Sequence, residues 1–303
     1  MSTRIATQYM FAQGVDVMLR KQASISQTEL QLASGNRILM PSDDVAASVQ
    51  LLDLKESKSK LDQYQRNGDA ASSRLAAEDT ALEGVGNLLQ RVRELTVQGN
   101  NGTLNAADRA SIAAEIQQHM QSYIGLVNTQ DSNGEYLFSG YATDQQAVAY
   151  NSGTGAFSYN PDTGQRMVKV GDTRDVATGD PAGIFQGLPA NSGGTTDIGS
   201  VLQAIVTSYS AGNPDPNALA DLDTAIDRIS TTRASVGARM NAIEEQKAAN
   251  ESFGVATEQV RSSLEDLDYA EAISRFNQQL AALQASQQSF LKIQDLNLFN
   301  FLR

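Results

Sequence analysis

A chain of 303 residues with 35 Asp and Glu against 23 Lys and Arg carries a formal net charge of −12. Nucleic-acid binders present a basic stripe, and the one lysine cluster, Lys55, Lys58 and Lys60, is broken by Glu56 and reads as a solvated helix face. The absence of cysteine excludes disulfides, thiolate metal sites and cysteine nucleophiles together.

The first predicted helix covers about residues 4–33. Phe11, Met18, Ile25 and Leu32 recur every seven residues, and the companion position is read as Val15, Gln22 and Glu29. This is a narrow coiled-coil seam, half of it polar. The stretch Ser34–Asp44 then interrupts the helix. Gly35 suits the left-handed conformation that ends helices, and Pro41 bars Met40 from helix. Ser42 is a good N-cap, with Asp43 and Asp44 at the positive end of a new helix dipole.

The second helix is predicted from Asp43 to about Val97. Leu54, Leu61, Leu75, Leu82 and Leu89 share one sevenfold ruler, with Gly68 interrupting. A third starts near Asn105, with Ile112, Ile116, Tyr123 and Leu126 on one face. From Glu135 to about Gly187 the chain reads as short strands: "EYLFSGY", "QAVAYN", "AFSYN" and "RMVKVG". Pro161-Asp162-Thr163-Gly164 is expected to turn, with Gly164 at positive φ. Residues 188–196 read as a Gly/Ser/Asn linker.

A short helix follows, ended by Gly212-Asn213-Pro214. The next is strongly patterned: Leu219, Leu222, Ile226, Ile229, Val236, Met240 and Ile243 keep 3-4 spacing, with Arg233 as the polar member. The last helix is predicted over about Leu267–Asn300, with Tyr269, Ile273, Phe276, Leu280, Leu283 and Phe290 on one seam. No charged residue occurs from Phe276 to Leu291. Exposed helices carry charge on their outer face, so this helix is expected to be surrounded by protein on several sides.

The fold class is therefore mainly α with a small β-rich insertion. The order is nearly palindromic: seam helix (1–40), bundle (41–134), β insertion (135–195), bundle (196–262), seam helix (263–303). Two thin seams have few apolar residues to set against ordering costs of roughly 1–2 kcal/mol per residue. The termini are expected to order only on assembly.

Signals for catalysis are weak. His119 is the sole histidine and reads as a partly buried helix side chain. No G-x-S-x-G elbow accompanies it. "GTG" at Gly153–Gly155 is a hairpin turn, not a phosphate loop. Asp43-Asp44 and Glu265-Asp266 are placed at helix starts, where acids are expected for dipole reasons. No catalytic, cofactor or metal residue is assigned. No apolar run reaches the roughly 20 residues of a membrane span. The N-terminus has no apolar h-region, so no secretory signal peptide is expected.

Several long motifs in order carry a resemblance. Leu32, Ser34, Gly35, Arg37, Ile38, Asp43-Asp44 and Ala46 resemble the N-terminal signature of bacterial flagellins and their relatives. "LLQRVRELTVQGNNGTL" (88–104), "LEDLDYAEAISRF" (264–276) and the ending "NLFNFLR" are similar to other segments of that superfamily. "GEYLFSGYATDQQAV", "GQRMVKVGDTRDVATGDPAGIFQG", "TTRASVGARMNAIE" and "SQQSFLKIQDLNLFNFL" look more like its hook–filament junction branch than like flagellin itself.

The resemblance implies a flagellin-like fold of paired terminal coiled-coil helices, a helical bundle and an inserted β domain. It implies a structural role without a cofactor, and export by the flagellar type III apparatus without a cleaved signal. Outside the cell the chain would form a homo-oligomeric layer on hook-associated protein 1, a platform for flagellin. Phe11, Met18, Ile25 and Leu32 would face Ile273, Phe276, Leu280, Leu283 and Phe290, within and between subunits, with Leu298 and Phe301 extending the interface. A cytoplasmic export chaperone would hold the last helix at Phe276, Leu280, Leu283, Phe290 and Leu291. Gly35, Arg37, Asp43 and Asp44 would form an inter-domain joint, Gly35 setting its angle and Arg37 pairing with a carboxylate. A flagellin, and an extracellular hydrolase on a flagellin-like scaffold, stay open as alternatives.

Overall fold

The computed structural model describes residues 2–160 and 162–299, with side chains for residues 9, 11–160 and 162–292. Six helices frame a short β-rich middle: α1 (Ser2–Ser34), α2 (Val45–Gly99), α3 (Ala106–Val127), α4 (Ile198–Ser210), α5 (Ala218–Glu265) and α6 (Tyr269–Phe299). Contacts divide the chain into two compact units. Unit 1 holds residues 1–60 and 253–303, and unit 2 holds residues 61–252. Among the described residues no helix is long and apolar enough to cross a membrane.

Unit 2 is built on the predicted rulers. Leu75, Leu82 and Leu89 are fully buried, and so are Leu222, Val236 and Ile243 of α5. Each contributes roughly 1.5–3 kcal/mol through burial. Arg233, the polar member of the α5 pattern, lies at the edge and pairs with Asp79 (2.9 Å) and Glu83 (3.3 Å) of α2. α3 starts with a capping box: Asp108 N–H donates to the Asn105 side chain at 2.9 Å, and Asn105 N–H donates back to the Asp108 carboxylate at 3.2 Å. Asp197 caps α4 by accepting from Ser200 N–H at 2.9 Å.

The middle segment forms three two-stranded antiparallel pairs: β1 (Val148–Asn151) with β2 (Ala156–Tyr159), β3 (Met167–Lys169) with β4 (Asp175–Ala177), and β5 (Leu188–Pro189) with β6 (Thr195–Thr196). The first is the hairpin expected around Gly153–Gly155, and Gly155 closes it at φ 71°. Phe138, Phe185 and Tyr123 meet edge-on in the interior, with ring centroids 5.1 and 6.1 Å apart. The strands thus share one core with the helices.

Three expectations for this segment fail. "EYLFSGY" is not a strand. Arg74 gathers Asp131 (2.6 Å), Glu135 (3.3 Å) and the Tyr136 carbonyl (3.2 Å), and Asp131 accepts from the Asn133 and Glu135 amides. These side-chain bonds, together with turns such as Asp131 N–H to the Glu135 carbonyl (2.8 Å) and Ala142 N–H to the Ser139 carbonyl (3.1 Å), stand in place of a continuous ladder. Residues 188–196 are a tiny hairpin rather than a linker, because Leu188 inserts into the core at 1 % exposure. Gly164 is not at positive φ; its amide donates to Asp162 Oδ1 at 2.8 Å instead, and Pro161 lies outside the described residues.

Unit 2 also buries a carboxylate. Glu78 is 1 % exposed; its Oε1 accepts from Asp180 N–H at 3.0 Å, and its Oε2 has no hydrogen-bond partner among the described residues. Asp180 is in turn held by Arg239 and by Gln165 at 2.7 Å. Burial, reinforced by the Asp180 charge, pushes the Glu78 carboxyl up to about 8.

Candidate assembly interface

Unit 1 contains the antiparallel pair α1 and α6 and the bends where each leaves the neighbouring helix. The pairing is tied by Phe11 against Phe290, ring centroids 5.0 Å apart. Ile25 is buried, Met18 and Leu32 are half-buried, and so are Phe276, Leu280, Leu283 and Phe290. Phe11 remains 48 % exposed, and Leu291 is exposed. Leu298 and Phe301 lie outside the described side chains.

Two readings of the seam need correction. Ile273 is 49 % exposed, whereas its neighbour Ala272 is fully buried. At this end the backbones approach closely: Leu267 N–H donates to the Gly35 carbonyl at 2.9 Å and Arg37 N–H to the Glu265 carbonyl at 2.7 Å. Adjacent positions of a helix face about 100° apart, so Ala272 turns inward and Ile273 outward. The companion position of α1 is also shifted by one residue. It is Gly14, Lys21 and Thr28, not Val15, Gln22 and Glu29. A Cβ at Gly14 would meet the Phe290 ring at 3.0 Å, and Thr28 is 3 % exposed. Spacing by three and then four from Phe11 leads to these residues; apolar Val15 drew the reading away from a seam filled by glycine and polar groups.

The polar residues form a layer that composition did not reveal. Thr28 Oγ1 donates to Gln279 Oε1 at 3.0 Å, and Gln279 Nε2 donates to Ser24 Oγ at 2.8 Å. Such a layer fixes register, since a slip strands its buried polar atoms.

The joint is a pairing of two chain bends. Gly35 sits at φ 74°, as its place after a helix suggested, and a Cβ there would meet the Tyr269 hydroxyl at 2.9 Å. Asn36 and Asp266 form an isolated antiparallel bridge. Arg37 donates through Nε and Nη2 to the Leu264 carbonyl at 3.1 and 2.9 Å and pairs with Asp44 at 3.4 Å. Asp44, not Ser42, caps α2 by accepting from Ala47 N–H at 3.0 Å. That bond, helped by Arg37, holds its carboxyl below the usual range. Asp43 folds back to accept from the Leu39 and Met40 amides at 3.0 and 2.9 Å. Asp268 starts α6, so Glu265 ends α5 rather than opening the last helix. The joint lies wholly within unit 1, and nearby Arg261 and Lys58 hold the Glu258 carboxyl down to about 2.

Unit 1 also exposes apolar side chains that the sequence reading did not single out. Val45, Val49 and Leu52 lie at 3-4 spacing along α2 and are 56–67 % exposed. Phe253 and Val260, seven residues apart on α5, are exposed as well. Their spacing is visible in the sequence; what hid them is that a buried and an unburied stripe have the same period. Among the described residues no cluster of His, Asp and Glu is placed to hold a metal ion. His119 is partly covered, with Glu115 at 3.9 Å.

Two family models match this chain, the bacterial flagellin N-terminal helical region over residues 5–143 and the C-terminal helical region over residues 219–302. The chain belongs to the flagellin family. Within that family it is 28 % identical to flagellar hook-associated protein 3 of Escherichia coli K12, covering 98 % of each chain. It is 27 % identical to flagellar hook-associated protein 3 of Salmonella typhimurium, covering 99 % of this chain and 100 % of the relative. The flagellin of Bacillus subtilis is 28 % identical over 89 % of each chain. Among solved structures, a putative flagellar hook-associated protein from Vibrio parahaemolyticus superposes with TM-score 0.65 at 25 % identity, over 74 % of this chain and all of that one. Hook-associated protein 3 from Legionella pneumophila gives TM-score 0.65 at 20 % identity, over 70 % of this chain and 98 % of that one, which shows the shared fold.

Proposed function

We propose that this flagellin-family chain is a structural subunit of the hook–filament junction. It assembles as a layer of identical copies on hook-associated protein 1 and gives flagellin a surface on which to polymerise. The observation that carries the reading is the end-to-end similarity to hook-associated protein 3 of two organisms, against partial coverage for flagellins. The thin α1–α6 seam and the bare stripes of unit 1 suit a chain that completes its packing with neighbours. Its task is mechanical, matching one lattice below and another above through repeated heterologous contacts.

The finer partners belong to this proposal. The flagellar type III apparatus exports the chain without a cleaved signal. A cytoplasmic chaperone covers Phe276, Leu280, Leu283, Phe290 and Leu291 beforehand, because an amphipathic helix without its partner presents an apolar face. The five-part division at residues 40, 134, 195 and 262 is the working scheme for assembly.

A deletion strain tests the reading. Bare hooks with monomeric flagellin in the medium are expected. Loss of the major filament protein itself would make this chain the flagellin, and normal filaments would overturn a junction role.

A further inference from the structure

A groove of about 300 Å³ opens between α1 and α6, lined by Lys21, Ser24, Arg275, Gln278, Gln279 and Ala282. Two of these are cations, and neither has an ion-pair partner among the described residues. Arg275 Nε is buried with no hydrogen-bond partner among the described residues. Among the described residues it is the one cationic donor of the four buried side-chain atoms left without a partner. Buried donors are normally satisfied, and the charge has already lost part of its hydration. A carboxylate arriving here therefore gains more than at an ordinary exposed pair.

The pair is also polarised along its axis. Glu29 on α1 and Glu271 on α6 are exposed and have no ion-pair partner among the described residues. In this antiparallel pair both lie on the joint side of the groove. At 1.5 Å per residue, Glu29 is about 12 Å from Lys21 and Glu271 about 6 Å from Arg275 along the axis. Unpaired bases thus sit at one level and unpaired acids at another, displaced in the same direction. A single copy cannot bring them together. A neighbouring copy shifted along the axis by on the order of 10 Å can.

We propose that the Lys21–Arg275 groove is the socket for an acidic side chain, Glu29 or Glu271, of a second copy of this chain. The contact is heterologous, so it propagates around a layer and sets the axial stagger between neighbours. It deepens the assembly reading above and rests on it.

The test uses full-length chains in the deletion strain, counting copies on isolated hooks and in the medium. The double variant K21E/R275E is expected to fall roughly tenfold or more on hooks and to accumulate in the medium. Co-expression with a second full-length copy carrying E29K/E271K is expected to restore both to the hook. A structural defect would not be repaired in this way. Wild-type incorporation of K21E/R275E would overturn the socket. Loss without rescue would overturn the assignment of a second copy as its occupant. If wild-type chain is found along the filament rather than at hook ends, the junction reading fails, while rescue between the two variants still decides the socket.

Discussion

Unit 2 buries Leu75, Leu82, Leu89 and most of the α5 stripe completely, whereas the α1–α6 pair of unit 1 buries Ile25, Ala272 and the polar side chains of Thr28 and Gln31. Both are helical, and both show sevenfold apolar rulers in the sequence. The difference lies in what faces each ruler. In unit 2 the stripe of one helix meets stripes on others and the aromatic cluster of the β segment, forming a single cluster. In unit 1 each seam meets one partner helix, and its companion positions hold glycine, lysine and threonine. Charge divides the same way: acids and bases nearly balance in unit 1, while acids strongly outnumber bases in unit 2. The contrast fits the proposal that one region folds alone and the other is completed by neighbours.

The comparison breaks most severely at the C-terminus. Deleting Lys292–Arg303 is expected to abolish incorporation at the hook while leaving the thermal transition of unit 2 in place. Calorimetry together with counting of hook-bound chain checks both halves, and filaments of normal length would refute the division of labour. Next comes core truncation. Leu82→Ala should cost about 2–5 kcal/mol in urea unfolding, whereas Ile25→Ala should leave the unit 2 transition where it is. Equal losses from both would mean that the units unfold as one.

Glu78 sharpens the picture through pH. Its folded carboxyl is raised to about 8 from its ordinary 4.5. The neutral form is the one the fold prefers, so its full contribution is present below about 4.5 and fades as pH rises through about 8. Unit 2 should lose about 3 kcal/mol of stability between pH 6 and pH 9, and Glu78→Gln should flatten the profile. Urea midpoints at pH 6 and pH 9 measure this; an unchanged slope in the variant would assign the dependence elsewhere. The smallest effect is expected at the joint. Gly35→Ala should cost about 1–2 kcal/mol for the left-handed residue, with an added clash against Tyr269, and should shorten filaments while sparing the unit 2 transition. Tyr269→Phe in the Gly35→Ala background should recover part of the loss by removing the hydroxyl that the new Cβ meets.

Much of the architecture was legible because helix periodicity is a local property. The rulers on α2 and α5, the capping turn at Asn105, the Gly153–Gly155 hairpin and the helix break at Gly35 all follow from a few neighbouring residues. The α1–α6 seam was half legible. Phe11, Met18, Ile25 and Leu32 stand out as apolar heptad positions, but Thr28, Gln279 and Ser24 do not, since a polar residue inside a seam looks like a polar residue outside it. Ile273 was misplaced because bulk suggested burial, when its neighbour Ala272 is the residue that faces inward.

Helical class, the family motifs at both ends and most helix stops are legible along the chain, because they depend on spacing and local backbone chemistry. Folding in three dimensions settles that the Gly35 bend is bridged to the Asp266 bend, that Asp44 rather than Ser42 caps α2, that residues 131–136 gather around Arg74, and that Lys21 and Arg275 share a groove. Those outcomes depend on which distant segment supplies the hydrogen-bond partner, and periodicity along one helix carries no record of that.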